Sequence, residues 1–233
     1  MAKHGVPRPL VGLRAFLRDH GLSIVVLALF IIFLVGQTIS GWYEYNVEQT
    51  EHGQAAVALI TYLASGHFVE ATAENWESEF LQMAFYVWLT AFLFQKGSSE
   101  SKKIGTAEAV DRDPRLFRSK RNAPWPVRRG GWVLWIYERS LTIVFFVLFL
   151  LSFAMHAAGG TLQFNVDQRL HGGDTVSVLQ FMSTSQFWFE SFQNWQSEFL
   201  ALGAMAILSI YLRQRGSPES KPVDAPHDQT GSE

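Results

Sequence analysis

The stretch GLSIVVLALFIIFLVGQTISGWY, residues 21–43, contains no charged side chain, and a second such stretch covers residues 140–166. Each exceeds the roughly 18–20 residues that a helix needs to cross about 30 Å of hydrocarbon. Two shorter apolar runs, residues 80–95 and 199–212, are each followed by a basic residue suited to the headgroup boundary. The pattern predicts an all-α membrane protein with four transmembrane helices, at about 21–42, 75–95, 140–160 and 194–213.

The composition agrees with that prediction and excludes several classes of chemistry. The 233 residues are 48% hydrophobic and only 17% charged, below the roughly 25% usual for soluble domains. The absence of Cys excludes disulfides, thiolate metal sites and cysteine catalysis. There is also no phosphate-binding glycine loop and no G-x-S-x-G nucleophile motif. The sequence therefore predicts a non-enzymatic protein without a cofactor, with a membrane-embedded enzyme as a weaker alternative.

The basic residues predict how the chain is oriented in the membrane. Eleven of the nineteen Lys and Arg lie within residues 96–139, four precede residue 19 and three follow residue 212, whereas the outer loops contain only Arg169. Because short loops rich in Lys and Arg stay inside, both termini and the central loop are predicted to be cytoplasmic. The basic loop is expected to contact anionic lipid, and the net charge of −2 gives no reason to expect nucleic acid.

The chain contains an internal repeat with an offset of 119 residues. NWESEFL at 75–81 aligns with NWQSEFL at 194–200, and fourteen of the twenty-eight positions in 75–102 recur unchanged. We interpret this as a tandem duplication of a two-helix unit, both copies entering the membrane in the same direction. The recurrence of the first span as the third also opposes a cleaved signal peptide at 21–40. The predicted organisation is a cytosolic N-terminus (1–20), repeat unit 1 (21–96), a basic cytosolic linker (97–131), repeat unit 2 (132–215) and a disordered cytosolic tail (216–233).

Between the two spans of each unit lies a short apolar segment, at 55–64 and at 175–182. Both segments are too short to cross a bilayer. They are predicted to be outward-facing amphipathic segments that are interfacial or re-entrant, or that form the core of a small outer cap. Tryptophans are predicted to anchor the spans at the two membrane surfaces, with Trp42, Trp76 and Trp195 at the outer surface and Trp132 at the inner one.

The repeated polar residues at the start of the second and fourth spans are the first candidate site. Asn75 and Glu79 share a helical face by their spacing of four, and Asn194 and Glu198 repeat the pair. An ionisable residue inside a bilayer is costly unless it is paired, protonated or hydrated. One hypothesis makes Glu79 and Glu198 a facing pair that binds a cation or relays protons. The alternative places both at the outer surface, where Glu stabilises a first helical turn.

Histidines near the outer ends of the spans offer nitrogen ligands. With Glu79 and Glu198 they form a conceivable nitrogen and oxygen ligand set. No ligand spacing such as H-x-x-E-H supports a metal, so none is predicted, and His52 and His171 stay as candidate ion or ligand contacts. The histidines considered are His52, His67, His156 and His171.

Four segments carry a resemblance to a known family: FLRDHGLSI (16–24), GHFVEATAENWESEFLQ (66–82), APWPVRRGG (123–131) and FWFESFQNWQSEFLA (187–201). The chain resembles, over nearly its full length, an uncharacterised family of bacterial integral membrane proteins classified as a domain of unknown function. The resemblance implies a bacterial cytoplasmic membrane location and no activity. The predicted function is a non-enzymatic membrane component that binds a partner, lipid or a copy of itself. The alternative is a small channel or a proton- or cation-coupled transporter that uses Glu79 and Glu198.

Overall fold

A computed structural model describes residues 12–231, and within that range the chain forms eight α-helices and no strand. The prediction of an all-α fold is therefore confirmed. Two 3₁₀ turns, Ala109–Asp111 and Pro114–Phe117, lie in the central loop. The helices are α1 (Leu13–Glu51), α2 (Leu59–Leu63), α3 (Gly66–Leu89), α4 (Trp125–Arg129), α5 (Gly131–Tyr137), α6 (Ser140–Leu170), α7 (Val178–Phe181) and α8 (Ser185–Tyr211).

Two of the helices, α1 and α6, are long and apolar enough to cross a membrane. They contain the predicted spans 21–42 and 140–160, and α6 begins at Ser140 itself. The other two predicted spans lie on α3 and α8, whose 24 and 27 residues correspond to about 36 and 40 Å at 1.5 Å per residue. Because their N-terminal halves are polar, α3 and α8 do not contain an apolar segment long enough to cross a membrane by length and composition alone. Length and composition thus support two spans.

The long helices begin and end at different residues from the hydrophobic runs that predict them. Helix α3 begins at Gly66 and ends at Leu89, and α8 begins at Ser185 and ends at Tyr211. Their polar N-terminal turns are helical because backbone hydrogen bonds do not require apolar side chains. Leu212 is extended, with φ −94° and ψ 156°, which stops α8 before the predicted 213.

The turn that follows α1 has the same hydrogen bonds as the turn that follows α6. The backbone N–H of Val57 donates to Asn46 Oδ1 (2.7 Å), and Asn46 Nδ2 donates to the Val57 carbonyl (3.1 Å). Asn165 and Val176 form the same pair at 2.7 and 2.9 Å, again 119 residues further on. Gly53 and Gly172 adopt φ 72° and 73° after the two helices, a conformation that favours glycine.

The two outer apolar segments each contain one short helix with a buried aromatic side chain. Tyr62 on α2 is 2% exposed and packs against Tyr45 and Phe68. Phe181 on α7 is fully buried and packs against Phe164 and Phe187. Of the arrangements predicted for these segments, the contacts therefore agree with the core of a small cap.

The basic linker 97–131 contains defined turns held by local ion pairs. Lys102 Nζ lies 2.7 Å from Asp111 Oδ1, and this hydrogen bond holds the pKa of the Asp111 carboxyl below its usual range. The Asp113 side chain accepts a hydrogen bond from the Arg115 backbone N–H at the start of the second 3₁₀ turn.

The tail 216–233, predicted to be disordered, differs from that prediction over its described residues. Lys221 is 1% exposed and its ammonium donates to the carbonyls of Pro226, His227 and Gln229. The Gly97 N–H donates to Thr230 Oγ1 (2.9 Å), and the Gly231 N–H donates to the Ser98 carbonyl (2.9 Å). These polar contacts order a segment whose composition alone gives it few apolar groups to bury.

The chain divides into two compact units, and the boundary falls between Phe68 and Val69. It lies inside α3 and inside the predicted repeat unit 21–96. Within the second unit, Gln82 on α3 donates to the Glu198 carbonyl on α8 (2.8 Å). Val69 lies against Gly159 of α6. Helix α3 from Val69 onward therefore packs with the two long helices of the second repeat.

We predict that Asn165→Ala lowers the free energy of unfolding by about 1–3 kcal/mol, because it removes both hydrogen bonds to the half-buried Val176 backbone. The measurement is thermal unfolding of the detergent-solubilised full-length protein. Asn46→Ala removes the equivalent pair and should cause a loss of similar size. An unchanged unfolding midpoint in both variants would contradict the structural role of these side chains.

Candidate functional site

A fully buried contact between a histidine and a glutamate joins α3 and α6. His156 and Glu77 are both 0% exposed, and His156 Nδ1 lies 2.9 Å from Glu77 Oε2. The other carboxylate oxygen, Glu77 Oε1, accepts a hydrogen bond from the Trp195 indole N–H on α8 at 2.8 Å. Both oxygens of a buried carboxylate are thus satisfied, and a single side chain links three helices.

The second imidazole nitrogen of His156 faces a second carboxylate. His156 Nε2 lies 3.4 Å from Glu190 Oε2, and Glu190 Oε1 accepts a hydrogen bond from Gln186 Nε2 at 3.0 Å. The Phe187 ring stacks on the imidazole, with 4.7 Å between centroids and 25° between planes. The histidine ring is therefore fixed by contacts on both nitrogens and on one face.

Glu70 supplies a third carboxylate beside His156 and Glu190. Its Oε1 atom is buried and has no hydrogen-bond partner among residues 12–231. A pair of glycines on α6 allows this approach. A Cβ atom on Gly159 would lie 2.7 Å from the Glu70 backbone nitrogen, and one on Gly160 would lie 2.6 Å from Glu70 Oε1. Larger residues at these two positions would push the helices apart.

We name the group Glu70, Glu74, Glu77, His156 and Glu190 the α3–α6–α8 cluster. The Glu74 carboxyl lies beside the Asn194 side chain. Four carboxyl groups around one histidine cannot all carry charge in an apolar surrounding without a large desolvation cost. One atom from each of Glu70, His156 and Glu190 lies within 4.8 Å of the others, a spacing suited to holding a metal ion. The arrangement can therefore bind a cation or hold protons.

The sequence-predicted pair Glu79 and Glu198 lies outside this cluster. Glu79 is exposed and Glu198 is half-buried. The Glu198 backbone carbonyl accepts a hydrogen bond from Gln82 on α3, and the Glu198 carboxyl is close enough to the Glu79 carboxyl to interact with it electrostatically, so the predicted pair does face each other. Glu79 follows Glu77 by two positions, about 200° around the helix axis, so the two side chains point in nearly opposite directions.

The other predicted site residues make local contacts. Asn75 is exposed and donates to the Ala71 carbonyl, whereas Asn194 donates to the Glu190 carbonyl at 3.2 Å. His52 Nδ1 donates to the Glu48 carbonyl at the end of α1. His171 Nδ1 does the same to the Asp167 carbonyl at the end of α6. Of these four, Asn194 is the one that the structure brings to the cluster.

The four tryptophans predicted as membrane anchors occupy different surroundings. Trp195 donates to Glu77 within the cluster, and Trp42 donates its indole N–H to the Val57 carbonyl at 2.8 Å. Trp76 is half-buried, and Trp132 is 73% exposed. Trp42 and Trp195 therefore have their polar N–H bound by protein.

From the sequence, His156 is a candidate only beside Glu79 and Glu198, and nothing local in the chain joins it to Glu70, Glu77 or Glu190. One local signal was present, since Glu70, Glu74 and Glu77 follow an i, i+4, i+7 spacing that places them on one helical face. A second signal lies in the repeat. The members of the cluster occupy positions at which the two copies differ: 119 residues away, Glu70, Glu74, Glu77, His156 and Glu190 correspond to Phe189, Gln193, Gln196, Gln37 and Ala71.

A family model described as Domain of unknown function (DUF6766) matches residues 13–232. The chain therefore belongs to this family, which confirms the resemblance to an uncharacterised family. Neither the curated proteins nor the solved structures contain a match to this chain.

We predict that Gly159→Ala destabilises the protein by about 1–3 kcal/mol. The new methyl group would meet the Glu70 backbone at 2.7 Å, and backbone cannot move aside cheaply. Gly203→Ala on α8 is the matched control, because nothing lies within 4 Å of its Cβ position. Replacing the helical Gly203 by Ala should raise the free energy of unfolding by about 0.5–1 kcal/mol. Thermal unfolding of both variants measures the difference, and equal stability would argue against close contact of α3 and α6.

Proposed function

We propose that this chain is a non-enzymatic, multi-pass membrane protein that binds a cation in the α3–α6–α8 cluster. The observation that carries the proposal is the fully buried His156 held between Glu77 and Glu190. Ionisable side chains among apolar helices are expensive, and they usually mark an ion or proton site. A cation would offset the excess negative charge that the carboxylates place there.

The surface of the long helices supports the membrane part of the proposal. The side chains of Leu22, Ile31 and Phe33 on α1 are 58–81% exposed, and Leu141, Leu150 and Leu151 on α6 are 49–58% exposed. Such surfaces are stable in lipid and unstable in water. We propose four spans at the sequence-predicted positions, both termini in the cytoplasm of a bacterial cell, and anionic lipid bound near Arg128 and Arg129.

Single cysteines test this topology, because the chain has no cysteine of its own. Gln54→Cys, Ser119→Cys and Thr175→Cys, at exposed positions, and Ser217→Cys, at a half-buried position, are labelled with a membrane-impermeant maleimide. Gln54→Cys and Thr175→Cys should react in right-side-out vesicles. Ser119→Cys and Ser217→Cys should react only after permeabilisation. Each follows an even number of spans, so each is expected in the cytoplasm. Any other sidedness, or recovery of the wild type as a soluble protein, overturns the four-span arrangement.

The cation part of the proposal rests on the balance of charge in the cluster. Glu77 accepts hydrogen bonds from His156 Nδ1 and from the Trp195 N–H. Glu190 contacts the same histidine through Nε2, and Glu70 lies beside them with a buried oxygen that has no hydrogen-bond donor among the described residues, so one imidazole faces three carboxylates. A proton, a monovalent ion or a metal would each restore the balance. Cation coupling is thus proposed for this cluster instead of for Glu79 and Glu198.

Charge neutralisation tests whether these carboxylates serve binding or structure. In chelator at mildly alkaline pH, Glu70→Gln/Glu190→Gln should match the wild type in stability or exceed it by about 0.5–2 kcal/mol, because functional charges usually cost stability. Glu79→Gln, on the exposed side of the same helix, should change little. If the double variant is markedly destabilised and Glu79→Gln is not, the two carboxylates hold the helices together. That result would overturn the proposed cation site.

A further inference from the structure

We infer that the cation is a divalent first-row transition metal ion, bound by His156 Nε2 and by carboxylate oxygens of Glu70 and Glu190. The inference rests on the proposed function and names the ligand of that same site. It stands on four observations: the separation of the ligand atoms, the hydrogen bonds that orient them, the buried oxygen of Glu70, and the charge of the ligand set.

The spacing of the ligand atoms fits one metal ion. His156 Nε2 and Glu190 Oε2 are 3.4 Å apart, long for a hydrogen bond between charged groups. With bonds of about 2.0–2.2 Å to nitrogen and oxygen, a tetrahedral metal separates two of its ligands by about 3.4 Å. All three ligand atoms lie within 4.8 Å of one another, so small side-chain rotations bring Glu70 into range.

The neighbouring side chains hold the ligands in the protonation states and orientations that a metal requires. The Glu77 carboxylate accepts a hydrogen bond from the His156 Nδ1–H, which leaves the Nε2 lone pair directed toward Glu190. Carboxylate–histidine–metal arrangements of this kind fix the tautomer and raise the basicity of the ligand. Glu77 is itself fixed by Trp195, and the second oxygen of Glu190 is fixed by Gln186. These hydrogen bonds use Nδ1 of His156 and Oε1 of Glu190, so Nε2 and Oε2 remain for the metal.

Glu70 completes the set. Its Oε1 atom is buried without a hydrogen-bond donor among the described residues, and an unsatisfied buried oxygen costs roughly 1–3 kcal/mol. Gly160 admits that oxygen because it has no side chain to occupy the space. Two carboxylates and one neutral imidazole balance a charge of 2+, so the metal and its three ligands together would carry no net charge, while the Glu77 carboxylate is stabilised by the His156 and Trp195 N–H donors.

The donor types define the class of metal. Mg²⁺ and Ca²⁺ take oxygen ligands, and Mg²⁺ retains several waters, whereas imidazole favours Zn²⁺, Fe²⁺ and related ions. A site with one imidazole nitrogen and two carboxylate oxygens therefore favours these ions over Mg²⁺. Three protein ligands also leave a coordination position open, as in sites where a metal binds water or a further ligand.

The test uses full-length protein in detergent, stripped with chelator and then titrated with Zn²⁺, Mn²⁺ or Mg²⁺. Bound metal is counted by mass spectrometry after gel filtration, and affinity is measured by calorimetry. We expect one equivalent of Zn²⁺ or Mn²⁺ and a raised unfolding midpoint, without either effect from Mg²⁺. The inference is overturned if neither Zn²⁺ nor Mn²⁺ binds stoichiometrically.

Variants then locate the site. Glu70→Gln and His156→Gln should each weaken binding by at least about tenfold, and Glu77→Gln, which positions His156 without touching the metal, by about 10–100-fold. Glu79→Gln and His171→Gln are the controls, because both residues are exposed and lie outside the cluster. Circular dichroism on the same samples verifies that each variant is folded. Binding that survives Glu70→Gln and His156→Gln, or that His171→Gln abolishes, overturns the assignment.

The results separate this inference from the proposed function. If the neutralised double variant is as stable as the wild type in chelator but neither transition metal binds, the carboxylates still serve a cation, which is then a proton or a monovalent ion. If the double variant is strongly destabilised in chelator and no metal binds, both proposals fail together.

Discussion

The hydrogen-bonded contact between His156 and Glu77 is the interaction on which the packing of α3, α6 and α8 depends. It joins residues 79 positions apart in the chain, and both side chains are excluded from solvent. The Trp195 indole completes the coordination of the carboxylate from the third helix. A buried carboxylate that lost either donor would bear the full cost of desolvation. The three helices are therefore restricted to the one rotation and register in which these groups meet.

Small residues make that arrangement sterically accessible. Ala157, Gly159 and Gly160 on α6 are all buried, and the two glycines lie against Val69 and Glu70 of α3. Helices in lipid associate through close packing and polar contacts because no hydrophobic force drives them together. Here the same close approach that permits packing also delivers the Glu70 carboxylate to the histidine. Packing and site formation have one structural cause.

The repeat divides scaffold from site. Residues that recur at the offset of 119 make recurring local contacts, such as those of Asn46 and Asn165 in the turns after α1 and α6. The cluster is built from positions that do not recur at this offset, where Gln37 corresponds to His156 and Gln196 to Glu77. The recurring pair Glu79 and Glu198 lies outside the cluster.

The all-helical fold and the two most apolar helices follow from the order of residues, because each depends on residues that are close in the chain. Tertiary contacts alone select Glu77 over Glu79 as the inward-facing carboxylate. Both lie on α3, about 200° apart, and no local preference selects one. Contact with His156 and Trp195, which are distant in sequence, sets the rotation of the helix. The cluster exists because three separate helices present polar groups to one buried point.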